Sequence, residues 1–100
     1  MTEILLKLRE STSIDLPGKA TSGYEWSFTA DQAGILLITH SYFVPAKLQA
    51  GGTGTERFFL TAIAPGTCAL HFRQTRSWEK EKEPLDTREY MVTVIHGQMN

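Results

Sequence analysis

A single cysteine, three histidines and a cluster of glycines are the residues with which this chain could do chemistry. Cys68 and His71 are the residue types of a thiol nucleophile and its base. On a strand, however, positions i and i+3 project from opposite faces, so the two do not meet locally. Cys68 alternates with Leu70 and Phe72, the pattern of a buried, inert thiol. His40, His71 and His96 have no metal-ligand spacing, and one Cys with scattered His falls short of a structural zinc set. The carboxylates scatter over loops and strand ends and do not pair for acid–base work. Gly51, Gly52 and Gly54 allow close backbone approach. They lack the Lys-Ser/Thr ending and the strand–helix flanks of a phosphate-binding loop, so a plain flexible connection is the simpler reading. Trp78 is different. It stands among Ser77, Glu79, Lys80 and Glu81, where a core tryptophan would be out of place. An exposed Trp is a typical interface anchor, although a ring folded back over the end of a sandwich would look the same in sequence. These residues predict binding and not catalysis, with no enzyme activity, no metal and no cofactor.

The elements that must position them read as strands. Ile4, Leu6 and Leu8 alternate with Leu5, Lys7 and Arg9. Ser13–Leu16 is stopped by Pro17-Gly18, and Tyr24, Trp26 and Phe28 give the cleanest period-2 alternation in the chain. Further runs lie at Ile35–Val44, Arg57–Ala64, Thr67–Arg76 and Tyr90–Ile95, with Pro65-Gly66 as a turn pair. Seven strand segments, punctuated by turn signals roughly every ten residues, predict an antiparallel sandwich or barrel. One helical turn each could fit at Ala30–Gly34 and Pro45–Ala50, and the charged run Glu79–Glu83 reads as a solvated loop. Tyr24 and Trp26 read mainly as core, with one of them packed beneath the loop that precedes them.

Composition bounds the rest. The chain has 100 residues, with 10 Lys+Arg against 11 Asp+Glu and a formal charge of −1. That length predicts a single domain over residues 1–100 with one core. A near-neutral balance argues against a nucleic-acid partner. One Cys cannot close an internal disulfide, so the fold stands on packing and hydrogen bonds. The apolar run Ile4–Leu6 is too short for a signal-peptide core or a membrane span. The compartment stays open between the cytoplasm and a secreted protein whose leader was removed.

Three segments interrupt this economical β chain: Pro17–Tyr24 (PGKATSGY), Ala50–Phe58 (AGGTGTERF), and the stretch from Arg76 to about Asp86. In order and spacing they resemble the three loop motifs of the chagasin-type inhibitors of papain-like cysteine proteases. Those motifs are Asn-Pro-Thr-Thr-Gly-Tyr/Phe, Gly-x-Gly-Gly and Arg-Pro-Trp/Phe. The first corresponds to Lys19-Ala20-Thr21-Ser22-Gly23-Tyr24, with Trp26 two residues on; the second to Gly51-Gly52-Thr53-Gly54; the third to Arg76-Ser77-Trp78. Leu16-Pro17-Gly18 and Ala64-Pro65-Gly66-Thr67 also look like the family, so the resemblance covers nearly the whole chain. None of the three motifs is intact. Lys19, Ala20 and Ser22 replace Asn, Pro and Thr, Thr53 replaces a Gly, and Ser77 replaces the Pro.

The resemblance implies an immunoglobulin-like antiparallel β-sandwich of about seven to eight strands, with its three loops at one end. It implies a monomeric, reversible inhibitor whose partner is a papain-family cysteine protease, with no nucleic-acid or membrane partner. Carried over, Thr21, Ser22, Gly23 and Tyr24 form the wedge at the protease cleft. Gly51, Gly52, Thr53 and Gly54 lie along its specificity side, and Trp78 packs on the opposite side with Arg76 beside it. Arg76 either scaffolds Trp78 or touches the partner. The loss of the motif prolines predicts less rigid loops and weaker or retuned inhibition. The alternative is an immunoglobulin-like binding or adhesion module with a different protein partner, since fold does not fix function.

Overall fold

The computed structural model describes residues 1–18, 23–43, 54–76, 78 and 83–96. Seven strands follow one another: β1 (Thr2–Lys7), β2 (Ser11–Pro17), β3 (Tyr24–Ala30), β4 (Leu36–Phe43), β5 (Thr55–Ala62), β6 (Gly66–Arg76) and β7 (Asp86–Ile95). They form a four-stranded sheet in the order β1-β7-β6-β3 and a three-stranded sheet in the order β2-β5-β4. Each strand is close to the alternating segment that the sequence marks. β5 shows why: Glu56, Phe58, Leu60 and Ala62 point inward and are buried, while Phe59 between them is exposed.

The inner faces of the two sheets meet in one core. Leu16, Phe58 and Leu60 from one sheet pack with Leu70, Phe72 and Val92 from the other. Phe58 and Phe72 meet edge to face with ring centroids 4.9 Å apart, and Tyr90 sits edge-on to Phe72 at 5.6 Å. Each fully buried side chain of this size contributes about 1.5–3 kcal/mol. Phe28, on the edge strand β3, reaches both Phe58 and Phe72 but stays 36% exposed. Cys68 is buried in the same core, as its alternation predicts.

Strand direction decides where the loops go. The chain reverses at every connection, so β1, β3, β5 and β7 run one way and β2, β4 and β6 the other. β6 and β7, β3 and β6, β2 and β5, and β4 and β5 therefore pair antiparallel. β1 and β7, both odd in the order, can pair only in parallel, and they do, from Thr2 opposite Tyr90 to Lys7 opposite Ile95. The expected β-sandwich thus carries one parallel pair beside its antiparallel ones. The same alternation sends the 2–3, 4–5 and 6–7 connections to one end of the molecule and the others to the opposite end.

No helical turn forms at residues 30–34. Asp31 instead ties this bend to β6: its carboxylate accepts from the Ala69 N–H at 2.8 Å, and its own N–H donates to the Ala69 carbonyl at 3.1 Å. Gly34, at φ +86°, lies in the left-handed region and closes the bend. The second candidate turn, at 45–50, and most of the charged run at 79–83 lie outside the described residues.

Candidate functional site

The loop-bearing end is built from strand termini. β2 delivers Pro17, β3 begins at Tyr24, β5 begins at Thr55, and β6 ends at Arg76. The first two connections are joined where they leave the sandwich: the Gly18 N–H donates to the Gly54 carbonyl at 2.9 Å. Tyr24 and Arg76 are the terminal partners of the β3–β6 ladder. The first and third connections are therefore held side by side.

An aromatic cluster fills that junction. The Arg76 guanidinium lies 4.3 Å from the Tyr24 ring centroid and 5.7 Å from the Trp78 ring centroid, so one cation faces two rings. Trp78 nonetheless remains 65% exposed. What seats it is Gly23, at φ +85°, whose missing side chain leaves the space the indole occupies. A β-carbon there would collide with Cη2 at the far edge of the Trp78 indole. Gly23 is thus required twice, by its left-handed backbone and by the ring lying on it.

Beneath the loops runs a tier of buried polar groups. The Trp26 indole N–H donates to the Pro17 carbonyl at 2.9 Å, and the Gln74 amide donates to the same oxygen at 3.2 Å. Gln74 is 2% exposed, and it is the cross-strand partner of Trp26. The Trp26 backbone N–H turns the other way and donates across the sandwich to the Glu56 carboxylate, at 3.2 and 3.4 Å to its two oxygens. His40 completes the set, with Nε2 2.8 Å from Glu56 Oε1 and its ring stacked on Phe58 at 4.3 Å. Burial pushes the Glu56 carboxyl above its ordinary value, opposed by the Trp26 N–H and by His40.

The comparisons with known proteins now bear on this geometry. The sequence profile described as chagasin family peptidase inhibitor I42 matches residues 6–94. The chain belongs to the chagasin family. Chagasin of Trypanosoma cruzi is 31% identical over 74 residues, spanning 69% of this chain and 67% of that one. The cysteine protease inhibitor EhICP2 from Entamoeba histolytica is similar in structure, with a TM-score of 0.74, 21% identity, and coverage of 92% of this chain and 84% of that one. Amebosin aligns with a TM-score of 0.69 and 23% identity, over 93% of this chain and 88% of its own. At those identities the two structures speak for the shared fold. The family is one of peptidase inhibitors, not of enzymes.

Within this chagasin-family chain, the structure brings Gly23, Tyr24, Gly54, Arg76 and Trp78 to one end. Thr21, Ser22, Gly51, Gly52 and Thr53 lie outside the described residues. Tyr24 is only partly buried and Trp26 is the core residue of the pair, at 3% exposure. Cys68 and His71 stay apart: the thiol donates to the Gln32 carbonyl at 3.6 Å, while His71 Nδ1 lies 3.2 Å from Glu89. Burial also pushes the Cys68 thiol up, away from the reactive thiolate. Glu56, His40 and Gln74 are the residues that sequence reading missed. Position 56 continues the inward series of Phe58, Leu60 and Ala62, and a charged residue on that series was the available signal.

Proposed function

We propose that this chagasin-family inhibitor is a reversible inhibitor of papain-like cysteine proteases that acts as a monomer and blocks the active-site cleft with its three loops. The observation that carries the reading is Trp78: a large ring, 65% exposed, seated on Gly23 at the end where the connections meet. An exposed tryptophan held in place before binding is the chemistry of an interface hot spot. Thr21, Ser22 and Gly23 then form the wedge. They are small, so backbone can approach the protease thiol, and their hydroxyls and amides offer hydrogen bonds without an extended, cleavable peptide. Gly51, Gly52, Thr53 and Gly54 give a slim backbone along the specificity side. Tyr24 anchors the wedge, and Arg76 holds Trp78 by facing both rings.

The two sheets supply the rigidity. A binding edge fixed by strand ends and by the Gly18–Gly54 bond loses less entropy on association than free loops would. The test is titration of active papain with the protein. Inhibition at nanomolar to low micromolar concentration supports the reading. Absence of inhibition at high micromolar concentration overturns it and leaves a binding module with another partner.

A further inference from the structure

We propose that Glu56 is a positioning residue for protease binding: its carboxylate, bridging the two sheets beneath the loops, fixes the separation of the first- and second-loop stems. The proposal deepens the inhibitor reading above and rests on it for the protease arm of its test.

Glu56 lies two residues beyond Gly54, at the start of β5, and is 1% exposed. A carboxylate at an inward strand position is an expensive choice, since burial penalises its charge. Its partners say what it does instead. Trp26 lies two residues into β3, the strand that leaves the first loop, and β3 is an edge of its sheet. The Trp26 N–H is answered by Glu56 of the opposite sheet. His40 lies on β4, near the start of the second connection, and Nε2 meets the same carboxylate. One side chain therefore ties β3 in one sheet to β4 and β5 in the other. Trp26 carries the tie onward, because its indole holds the Pro17 carbonyl at the end of β2. Immediately beyond Pro17 is Gly18, whose N–H reaches back to Gly54. The path Gly54, Glu56, Trp26, Pro17, Gly18 is closed, and it frames the roots of two loops.

A side chain that only filled the core would be replaced by leucine without harm to binding. One that positions the stems would not. The test uses the full chain, with Glu56→Leu and Glu56→Gln, and two readouts. Glu56→Gln keeps an oxygen acceptor for the Trp26 N–H and a polar group toward His40, and is the rescue variant.

In amide hydrogen exchange, Glu56→Leu is expected to lower protection at least tenfold at Trp26 and, by relay, at Gly18. The Leu8 N–H, which donates to the Ile95 carbonyl at the far end of the sandwich, serves as the unchanged reference. Glu56→Gln should keep the Gly18 amide within threefold of wild type. Against papain, assayed well below the variant's unfolding midpoint, Glu56→Leu should weaken inhibition at least tenfold, and Glu56→Gln should stay within threefold.

Unchanged Gly18 protection in Glu56→Leu overturns the proposal, as does unchanged inhibition by a folded Glu56→Leu. If Glu56→Leu does not fold, Glu56→Met decides by the same exchange readout. Methionine is unbranched and flexible enough to fill the same space without offering the Trp26 N–H a carboxylate, and an unchanged Gly18 amide there counts against the proposal. If wild type does not inhibit papain, the inhibitor reading fails, while the exchange arm still decides whether Glu56 sets the stems.

Discussion

Replacing Gly23 with alanine separates two physical effects at one atom. Gly23 sits at φ +85°, where a β-carbon strains the backbone by roughly 1–2 kcal/mol. That is a folding cost, and in a domain of this size each 1 kcal/mol lowers the midpoint by about 4–8 °C. The second effect is steric. The added methyl would collide with Cη2 of the Trp78 indole, so the ring must shift from its seat. If the seated ring is a hot spot, its loss removes about 2 kcal/mol of affinity. That corresponds to roughly a thirtyfold rise in inhibition constant against papain. The double-mutant cycle with Trp78→Ala tells the two apart. In the Trp78→Ala background, Gly23→Ala should still lower the melting midpoint but should no longer raise the inhibition constant. Equal losses of affinity in both backgrounds would mean that the methyl collides with the protease itself, and the seat argument would be wrong. An unchanged inhibition constant in the wild-type background would refute it outright.

Trp78→Ala alone should raise the papain inhibition constant by roughly thirtyfold, the hot-spot scale, and leave the melting temperature unchanged. Unfolding of that variant would mean that the ring holds the fold. Gln74→Leu removes one of two donors to the Pro17 carbonyl without leaving that oxygen bare, so urea unfolding should show a loss of about 1 kcal/mol. Arg9 holds a left-handed φ of 74° at the far end of the sandwich. Relieving its strain of roughly 1–2 kcal/mol exceeds the entropic cost of a glycine, about 0.5–1 kcal/mol. Arg9→Gly should therefore raise the melting temperature by a few degrees and leave inhibition unaltered. The pH dependence has two opposed parts. The Arg57 guanidinium forks onto Asp15 at 2.6 and 2.8 Å and holds that carboxyl below its ordinary value, so the contribution of Asp15 is complete at neutral pH and fades as pH falls through the lowered value. Glu56 has the opposite sign: its raised carboxyl takes up a proton more readily in the folded state, so its cost to stability is relieved as pH falls. Urea titrations between about pH 7 and pH 3 should show a shallower acid loss in Asp15→Asn and a steeper one in Glu56→Gln.

Much of the fold could be read because the sandwich obeys period 2 closely. Tyr24, Trp26 and Phe28, and Cys68, Leu70 and Phe72, mark strands whose bounds the structure reproduces closely. The parallel β1–β7 pair was not read, since local alternation says nothing about which strands become neighbours. The helical turn that Ala30–Gly34 could hold does not form for a similar reason: Asp31 finds both its partner atoms on Ala69 of β6, a contact with no local signal. At the candidate site, Gly23, Arg76 and Trp78 were legible as types in order, but not as one cluster. The ring on the glycine depends on two strands ending side by side. Glu56 was overlooked because it borders a glycine-rich loop and reads as part of it. Its inward position becomes plain only when β5 is counted back from Phe58.

The three connections are not equivalent in how they are held, and this bears on what drift in the motifs can do. The first connection is the one to which the others are joined: Gly18 bonds to Gly54 of the second, and Gly23 seats Trp78 of the third. Ala20 and Ser77 stand where the family favours proline, so the chain has given up two local restraints on backbone freedom. The restraints it keeps are tertiary: a cation facing two rings, an inter-loop hydrogen bond, and a carboxylate bridging two sheets. These tertiary restraints act at Gly18, Gly23, Gly54, Glu56 and Trp78. Restoring proline at position 20 or 77 should then raise affinity only as far as tip freedom still limits it. If neither Ala20→Pro nor Ser77→Pro lowers the papain inhibition constant, the stems already supply the preorganisation, and the lost prolines were dispensable.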